Sequence, residues 1–199
     1  MMNYFPKDEF VPPSMAESDS FQLVWFSQNI SFRRGLEQII PLVDGRKNVE
    51  LHLYGNCKEE FYNQWIAGRD NIFVHNALSQ PDLHKELSLY DAGLAIEPGR
   101  DRNNELAVSN KMLAYYQAGL YIIASDTPAQ RDFLKTNQHS GIVLSLYDSG
   151  LESRFEKILE SLHSIRSTKQ ARYYYAWSVN WESESEKLVK LWEGLGATR

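Results

Sequence analysis

Two stretches of this chain set basic side chains at the start of a helical pattern, an arrangement suited to binding anions. In the first, Ser27-Gln28-Asn29-Ile30-Ser31-Phe32-Arg33-Arg34-Gly35 runs straight into Leu36, Ile39, Ile40 and Val43. Their i, i+3, i+4, i+7 spacing predicts an amphipathic helix. Free N–H groups at its N-terminus together with a guanidinium suit a phosphate or diphosphate. Arg34 is the residue placed for that role and Arg33 is its rival. A solvated Arg-Arg pair at a helix start is the plain alternative. In the second stretch, the long polar run Glu97-Pro98-Gly99-Arg100-Asp101-Arg102-Asn103-Asn104-Glu105 precedes Leu106-Ala107-Val108-Ser109-Asn110-Lys111. Ser109 or Asn110 can N-cap a helix that carries Lys111, which puts N–H donors and an ammonium together. That helix continues through Met112–Ala118 and meets Gly119, a glycine suited to its C-terminal cap. Gly55, which follows the apolar run Leu51–Tyr54, is a weaker signal: it permits a tight turn or the close approach of a ligand.

Other chemistries find little support. His52, His75, His84, His139 and His163 show no HExxH or comparable metal spacing, and His52 sits inside a strand pattern. The sequence holds no GxSxG elbow, Walker A loop or GxGxxG fingerprint. The single cysteine, Cys57, excludes an intrachain disulfide and a cysteine-rich zinc site, and no base adjoins it in sequence. The aromatic cluster Tyr173, Tyr174, Tyr175, Trp177 and Trp181 could stack bases. A net charge of −5 leaves no basic stripe to accompany it, so helix packing is its expected role and nucleic acid is not an expected partner.

The elements that must position these residues alternate along the chain. Apolar segments of strand length occur at Phe21–Phe26, Val49–Tyr54, Asn71–Val74, Gly93–Ile96, Leu120–Ala124 and Gly141–Leu146. Helical spacing falls between them, at 36–43, 58–67, 80–90, 110–118 and 128–135. This alternation predicts an α/β domain: a single Rossmann-like, doubly wound parallel sheet of about six strands. Ligands of such sheets bind at the carboxyl ends of the strands, where strand order reverses. After residue 147 the alternation gives way to a C-terminal helical extension, with stripes at Phe155, Ile158, Leu159, Leu162 and at Leu188, Leu191, Trp192, Leu195. Residues 1–20, with Pro6, Pro12, Pro13, Asp8, Glu9, Glu17 and Asp19, read as a linker or tail before a domain at 21–199. The doubled Met1-Met2 fits either a natural start or a start inside a longer chain. The 199 residues, 43% hydrophobic and 24% charged, describe an ordinary globular chain. No apolar run reaches the ~18 residues of a membrane helix, and no signal peptide precedes the domain, which points to the cytoplasm, the inner face of a membrane included.

Taken together, these segments resemble a family. The chain passes from the Arg34-Gly35 loop to a strand ending in Gly55, then to "NIFVHNALSQPDLHKELSLYDAGLAIEP", "SNKMLAYYQAGLYIIASDTPAQRDFL" and "SVNWESESEKLVKLWEGL". This is similar to the C-terminal, nucleotide-sugar-binding domain of GT-B glycosyltransferases of the family-four, or glycosyl transferase group 1, type. The resemblance covers roughly residues 21–195. Its most specific stretch is Ser109–Asp126, which is similar to the family's NK-x-x-E-Y-x-x-x-G-x-P-x-I-x-S.

The resemblance implies donor-site residues by position. The family's first loop, G-R-L-x-x-x-K-G, places Gln28 at the glycine, Asn29 at the arginine and Ile30 at the leucine, while Arg34 keeps a cation at the lysine. Gly55 matches the glycine after the second strand. Ser109, Asn110 and Lys111 match the stretch that includes the NK pair. The glutamate that grips the ribose falls on Ala114. Its partner glutamate falls on Leu106, with Glu105 one residue away, and Tyr121 stands at the usual proline. No catalytic residue, metal or bound cofactor is assigned, since the nucleotide sugar is itself the substrate. The implied activity is retaining, metal-independent transfer from a UDP- or GDP-sugar to a glycan or lipid acceptor, in pathways such as cell-envelope polysaccharide synthesis. Enzymes of this type use two α/β domains. A second, N-terminal domain is therefore an expected partner, and this chain alone is expected to be inactive. Membrane association would be peripheral, through the full-length enzyme. In full-length relatives the last helix reaches toward that other domain, which makes Trp177, Trp181 and Trp192 candidates for an exposed docking patch. The alternatives are a degenerate, non-catalytic GT-B domain that binds a nucleotide or serves as an interaction module, and an unrelated flavodoxin-like module.

Overall fold

The structure, a computed structural model, describes residues 2–14, 18–97 and 106–196. Six strands form one all-parallel sheet: β1 (Phe21–Ile30), β2 (Val49–Cys57), β3 (Ile72–His75), β4 (Ala92–Ala95), β5 (Tyr121–Ser125) and β6 (Gly141–Leu144). Their spatial order is β3-β2-β1-β4-β5-β6. The chain winds outward from β1 to one edge, returns to the middle, and winds to the other edge. Strand order therefore reverses between β1 and β4, and loops leaving their carboxyl ends diverge there to open a crevice.

Side-chain alternation divides the core into two layers. In β1, Leu23 and Trp25 face one layer and Val24 the other; in β5, Ile123 faces the first and Ile122 and Ala124 the second. The first layer is closed by α1 (Leu36–Val43), α2 (Glu59–Trp65), α6 (Leu151–Glu160) and α7 (Leu162–Ser167). The second is closed by α3 (Gln80–Glu86), α4 (Asn110–Gln117), α5 (Pro128–Thr136) and α8 (Lys169–Ala176). Strands buried on both faces read as continuous apolar runs, which is why the sequence announced them. Gly119 ends α4 at φ +73°, the left-handed conformation that glycine adopts without strain, and there the chain turns into β5.

Three expectations change in detail. The first loop is shorter than the sequence implies, because β1 and β2 resume pairing beyond an irregularity after Phe26, with Asn29 opposite Asn56 and Ile30 opposite Cys57. Asn29 therefore belongs to the strand ladder. The aromatic cluster does not pack as a unit: Tyr173 is buried, whereas Tyr174, Tyr175, Trp177 and Trp181 are exposed. The segment read as a linker or tail lies against the domain. Tyr4 and Phe10 are buried in the second layer, the Phe5 N–H donates to Gln117 Oε1 at 2.8 Å, and the Trp181 N–H donates to the Phe5 carbonyl at 3.0 Å. That last bond fixes the start of α9 (Trp181–Gly196).

One buried carboxylate fastens the C-terminal helices to the sheet. Asp91, 1% exposed, receives a two-pronged bond from Arg166 at 2.9 and 2.8 Å and the Gln22 N–H at 2.9 Å. A bidentate guanidinium–carboxylate pair is the strong form of this contact, and losing one partner would strand the other's charge.

Candidate functional site

A cleft of about 1040 Å3 opens at the carboxyl ends of β1, β2, β3 and β4. Phe26, Ser27 and Gln28 from the end of β1 form one wall, and Ser109, Asn110 and Lys111 at the start of α4 form another. Arg34 lines it from the loop before α1, Glu97 from the segment after β4, and Phe5 from the N-terminal segment. It spans the strand-order reversal, where the topology places a ligand site.

The first wall depends on an unusual backbone. Arg33 and Gly35 both take positive φ, 64° and 84°, and Gly35 N-caps α1 with no side-chain hydrogen bond. Glu37 occupies that position instead: its Oε1 accepts the Arg33 N–H at 2.5 Å. A carboxylate therefore already sits at the N-terminus of α1, and any anion there must contend with it. Arg34 is exposed and reaches the cleft.

The second wall is better insulated. Ser109 N-caps α4, its Oγ accepting the Met112 N–H at 3.3 Å, as the sequence anticipates. Lys111 does not stand alone: its Nζ lies 3.0 Å from Glu97 Oε1, with the two side chains 15% and 13% exposed. It also lies 5.8 Å from the centroid of the Trp25 ring. Glu97 is held in turn by its own N–H, which donates to Ser125 Oγ at 2.8 Å at the end of β5. The ammonium is thus neutralised in place, and a diphosphate must compete with a fixed carboxylate for it. Sequence reasoning missed this partner, since nothing in sequence spacing joins residues 97 and 111.

The remaining positions fall elsewhere. Gly55 lies within β2 at φ +147°, and a Cβ there would stand 2.2 Å from the Ser27 carbonyl oxygen. Its missing side chain admits the neighbouring strand's backbone at the β1 irregularity, and Gly55 does not line the cleft. Asn29 and Ala114 do not line it either. Ala114 is completely buried in the second core layer. Glu105 lies outside the described residues, as do residues 98–104. The structure therefore brings together Arg34, Ser109, Asn110 and Lys111, and leaves Asn29, Gly55 and Ala114 apart.

The far wall contains residues that the sequence did not single out for the site: Tyr54, Leu83 and His84. His84, 2% exposed, places Nδ1 2.6 Å from Glu9 Oε2 and is sandwiched by Phe5 and Phe10, with ring centroids 4.5 Å away in each case. Burial lowers its pKa, with Glu9 opposing the shift. The Tyr54 hydroxyl lies 2.6 Å from that of Tyr90 and donates to Glu86 Oε1 at 3.1 Å, and burial drives the Tyr54 pKa upward. These hydroxyls stay protonated and act as hydrogen-bonding groups. The signal that could have found this wall is the pattern Tyr4, Phe5, Phe10, since large aromatics in a supposed tail need a surface to cover. Among the described residues, no group of three His, Cys, Asp or Glu side chains could hold a metal, and no helix is long and apolar enough to cross a membrane.

No protein-family model matches the sequence, and no curated protein is significantly similar to it. Solved structures are. Sucrose-phosphate synthase from Thermosynechococcus elongatus superposes with a TM-score of 0.71 at 14% identity, over 98% of this chain and 52% of its own. WaaG, a glycosyltransferase involved in lipopolysaccharide biosynthesis, gives a TM-score of 0.57 at 13% identity, over 82% of this chain and 44% of its own. The chain thus spans about half the length of these two proteins. The C-terminal domain of a glycosyl transferase group 1 family protein, LpcC from Francisella tularensis, gives 0.60 at 11% identity, over 87% of this chain and 97% of that domain. The match to an isolated C-terminal domain along almost its whole length locates the likeness: the chain shares its fold with the C-terminal domain of GT-B glycosyltransferases.

Proposed function

We propose that this domain binds the nucleotide-sugar donor of a glycosyltransferase, with a UDP- or GDP-sugar in the cleft at the carboxyl ends of β1 and β4. The observation that carries the reading is the convergence of Arg34 and the Ser109-capped start of α4 on one large crevice at the strand-order reversal. Arg34 and the first N–H groups of α4 would offset the charge that builds on the departing diphosphate, the point at which fixed dipoles do most for a transfer reaction. No metal is assigned. A second α/β domain would present the glycan or lipid acceptor and, by closing, orient it against the donor with retention of configuration. In this reading the protein works in the cytoplasm, at the inner face of a membrane where the acceptor is a lipid.

Titration calorimetry with UDP, GDP and their sugars tests this. Saturable binding is expected, and Arg34→Ala should weaken it roughly ten- to a hundredfold, the worth of one charge-assisted hydrogen bond. The isolated chain should turn over no donor. Binding unaffected by Arg34→Ala refutes the site, and sugar transfer by this chain alone refutes the two-domain arrangement. A second reading, a degenerate domain that no longer uses a nucleotide, is favoured by the Glu97–Lys111 pair and by the burial of Ala114. It predicts no binding of any of these nucleotides.

A further inference from the structure

The opposite end of the sheet holds a second cavity, of about 670 Å3, between the start of β5, the turn before β6, and helices α7 and α8. Its lining includes Lys135, His139 and Arg172 together with the hydroxyl-bearing Ser164, Thr168 and Tyr175, and among the described residues no aspartate or glutamate. In a chain of net charge −5, a concave surface lined by basic groups without one acid is a local inversion of the overall balance.

Arg172 makes the inversion costly. It is 6% exposed, yet it bonds only to neutral groups: Nε to the Gly119 carbonyl at 3.0 Å, Nη1 to Thr168 Oγ1 at 2.7 Å and Nη2 to the Ile165 carbonyl at 2.9 Å. A guanidinium carries five N–H donors. One on each terminal nitrogen is therefore left without a protein acceptor among the described residues. The buried carboxylate in this region, Asp91, is already held by Arg166. Lys169, 2% exposed, also bonds only to carbonyls, those of Ser88 and Ser14. Burial pulls the Arg172 pKa down to about 10 and that of Lys169, which lies behind the cavity wall, to about 8, and the nearby Asp91 charge only partly opposes the shifts. A buried cation without a counter-charge is expensive, and a ligand anion would relieve it.

We infer that this cavity binds a small, hydroxyl-rich phosphomonoester, its phosphate held by Arg172 and Lys135 and its hydroxyls by the serine and threonine side chains. A phosphomonoester brings close to two negative charges and three acceptor oxygens, matching two forked donors and an ammonium. The volume lies within the range of small-molecule sites. The site lies at the amino ends of β5 and β6, away from the cleft, and does not depend on what the cleft binds.

The test is an amide-NMR titration of the intact chain with glycerol 3-phosphate, with glycerol as the uncharged control. Saturable shifts are expected at 135–140 and 161–172 with the phosphate ester and none with glycerol. Lys135→Glu/His139→Glu alters two exposed positions and should leave the fold intact, as circular dichroism would confirm. It should weaken binding roughly ten- to a hundredfold. Arg34→Ala, at the other end of the sheet, should leave these shifts unchanged. Absence of shifts, shifts confined to the cleft, or affinity unchanged in the double variant would overturn the assignment. Binding to phosphatidic acid vesicles without binding of glycerol 3-phosphate would overturn its small-molecule part.

Discussion

Glu97 and Lys111 offer the sharpest test of how the cleft is built. Lys111→Met keeps an unbranched apolar side chain and removes the ammonium, while Glu97→Gln keeps the shape and removes the carboxylate's charge. At 3.0 Å, with side chains 15% and 13% exposed, the pair is neither a solvated surface bridge nor a fully buried one. Exposed pairs are worth about 0–1 kcal/mol, and breaking a buried one costs about 3–5. The position between these limits puts Lys111→Met at about 2 kcal/mol, since Glu97 would be left with its charge largely desolvated. For a domain of this size that corresponds to a fall of roughly 4–8 °C in Tm. Glu97→Gln should cost less, because an ammonium on a flexible stem can swing toward water. The double variant should lie close to Lys111→Met, giving a coupling energy of about 1 kcal/mol or more.

The same cycle carries a functional sign. If the cleft binds a diphosphate, Glu97→Gln removes a competing carboxylate and frees Lys111, so UDP or GDP should bind several-fold tighter despite the lost stability. Lys111→Met should weaken binding and leave Glu97 to repel the ligand. Thermal denaturation and calorimetry on the four proteins supply both readouts. Single-variant losses under about 0.5 kcal/mol with no coupling would refute the structural argument. Equal nucleotide affinity in Glu97→Gln and the parent would refute the competition.

Two further outcomes follow from burial. Ala114→Glu, which the family resemblance would favour as the return of a ribose-binding carboxylate, should instead destabilise by several kcal/mol, because the position is fully buried among apolar side chains; urea denaturation checks this, and unchanged stability would mean that the helix face can turn toward the cleft. Acid should also destabilise the fold: His52, His75 and His84 all have lowered pKa values, chiefly through burial, and His52 Nδ1 lies 3.0 Å from His75 Nε2. The unfolded chain takes up protons first, so stability should fall as pH drops below about 6.5 and keep falling until the folded-state imidazoles titrate. His52→Gln/His75→Gln should flatten the profile between pH 7 and 5, measured by Tm.

The uneven legibility of this sequence has a physical origin. Strands buried on both faces leave continuous apolar runs, which marks the inner strands most clearly, and amphipathic helices leave a 3.6-residue period, so the sheet and the helices between its strands could be read directly, whereas α7 and α8 could not be read as separate helices. The Ser109 cap was equally readable, because a cap is a contact across three residues of sequence. What could not be read were contacts made by the fold: Glu97 against Lys111, the Ser27 carbonyl against Gly55, Phe5 and Phe10 against His84. Each is set by which strands become neighbours and by where an irregularity falls, and neither leaves a local pattern. Gly55 shows the consequence most clearly. Glycine after an apolar run is compatible with a ligand's approach and with a backbone's approach, and only the pairing of β1 with β2 decides between them. The same reasoning explains Lys111. A lysine at a helix start promises a cation, but the charge a ligand meets is that of the pair, and half of the pair is supplied by Glu97, from the segment after β4 and distant in sequence.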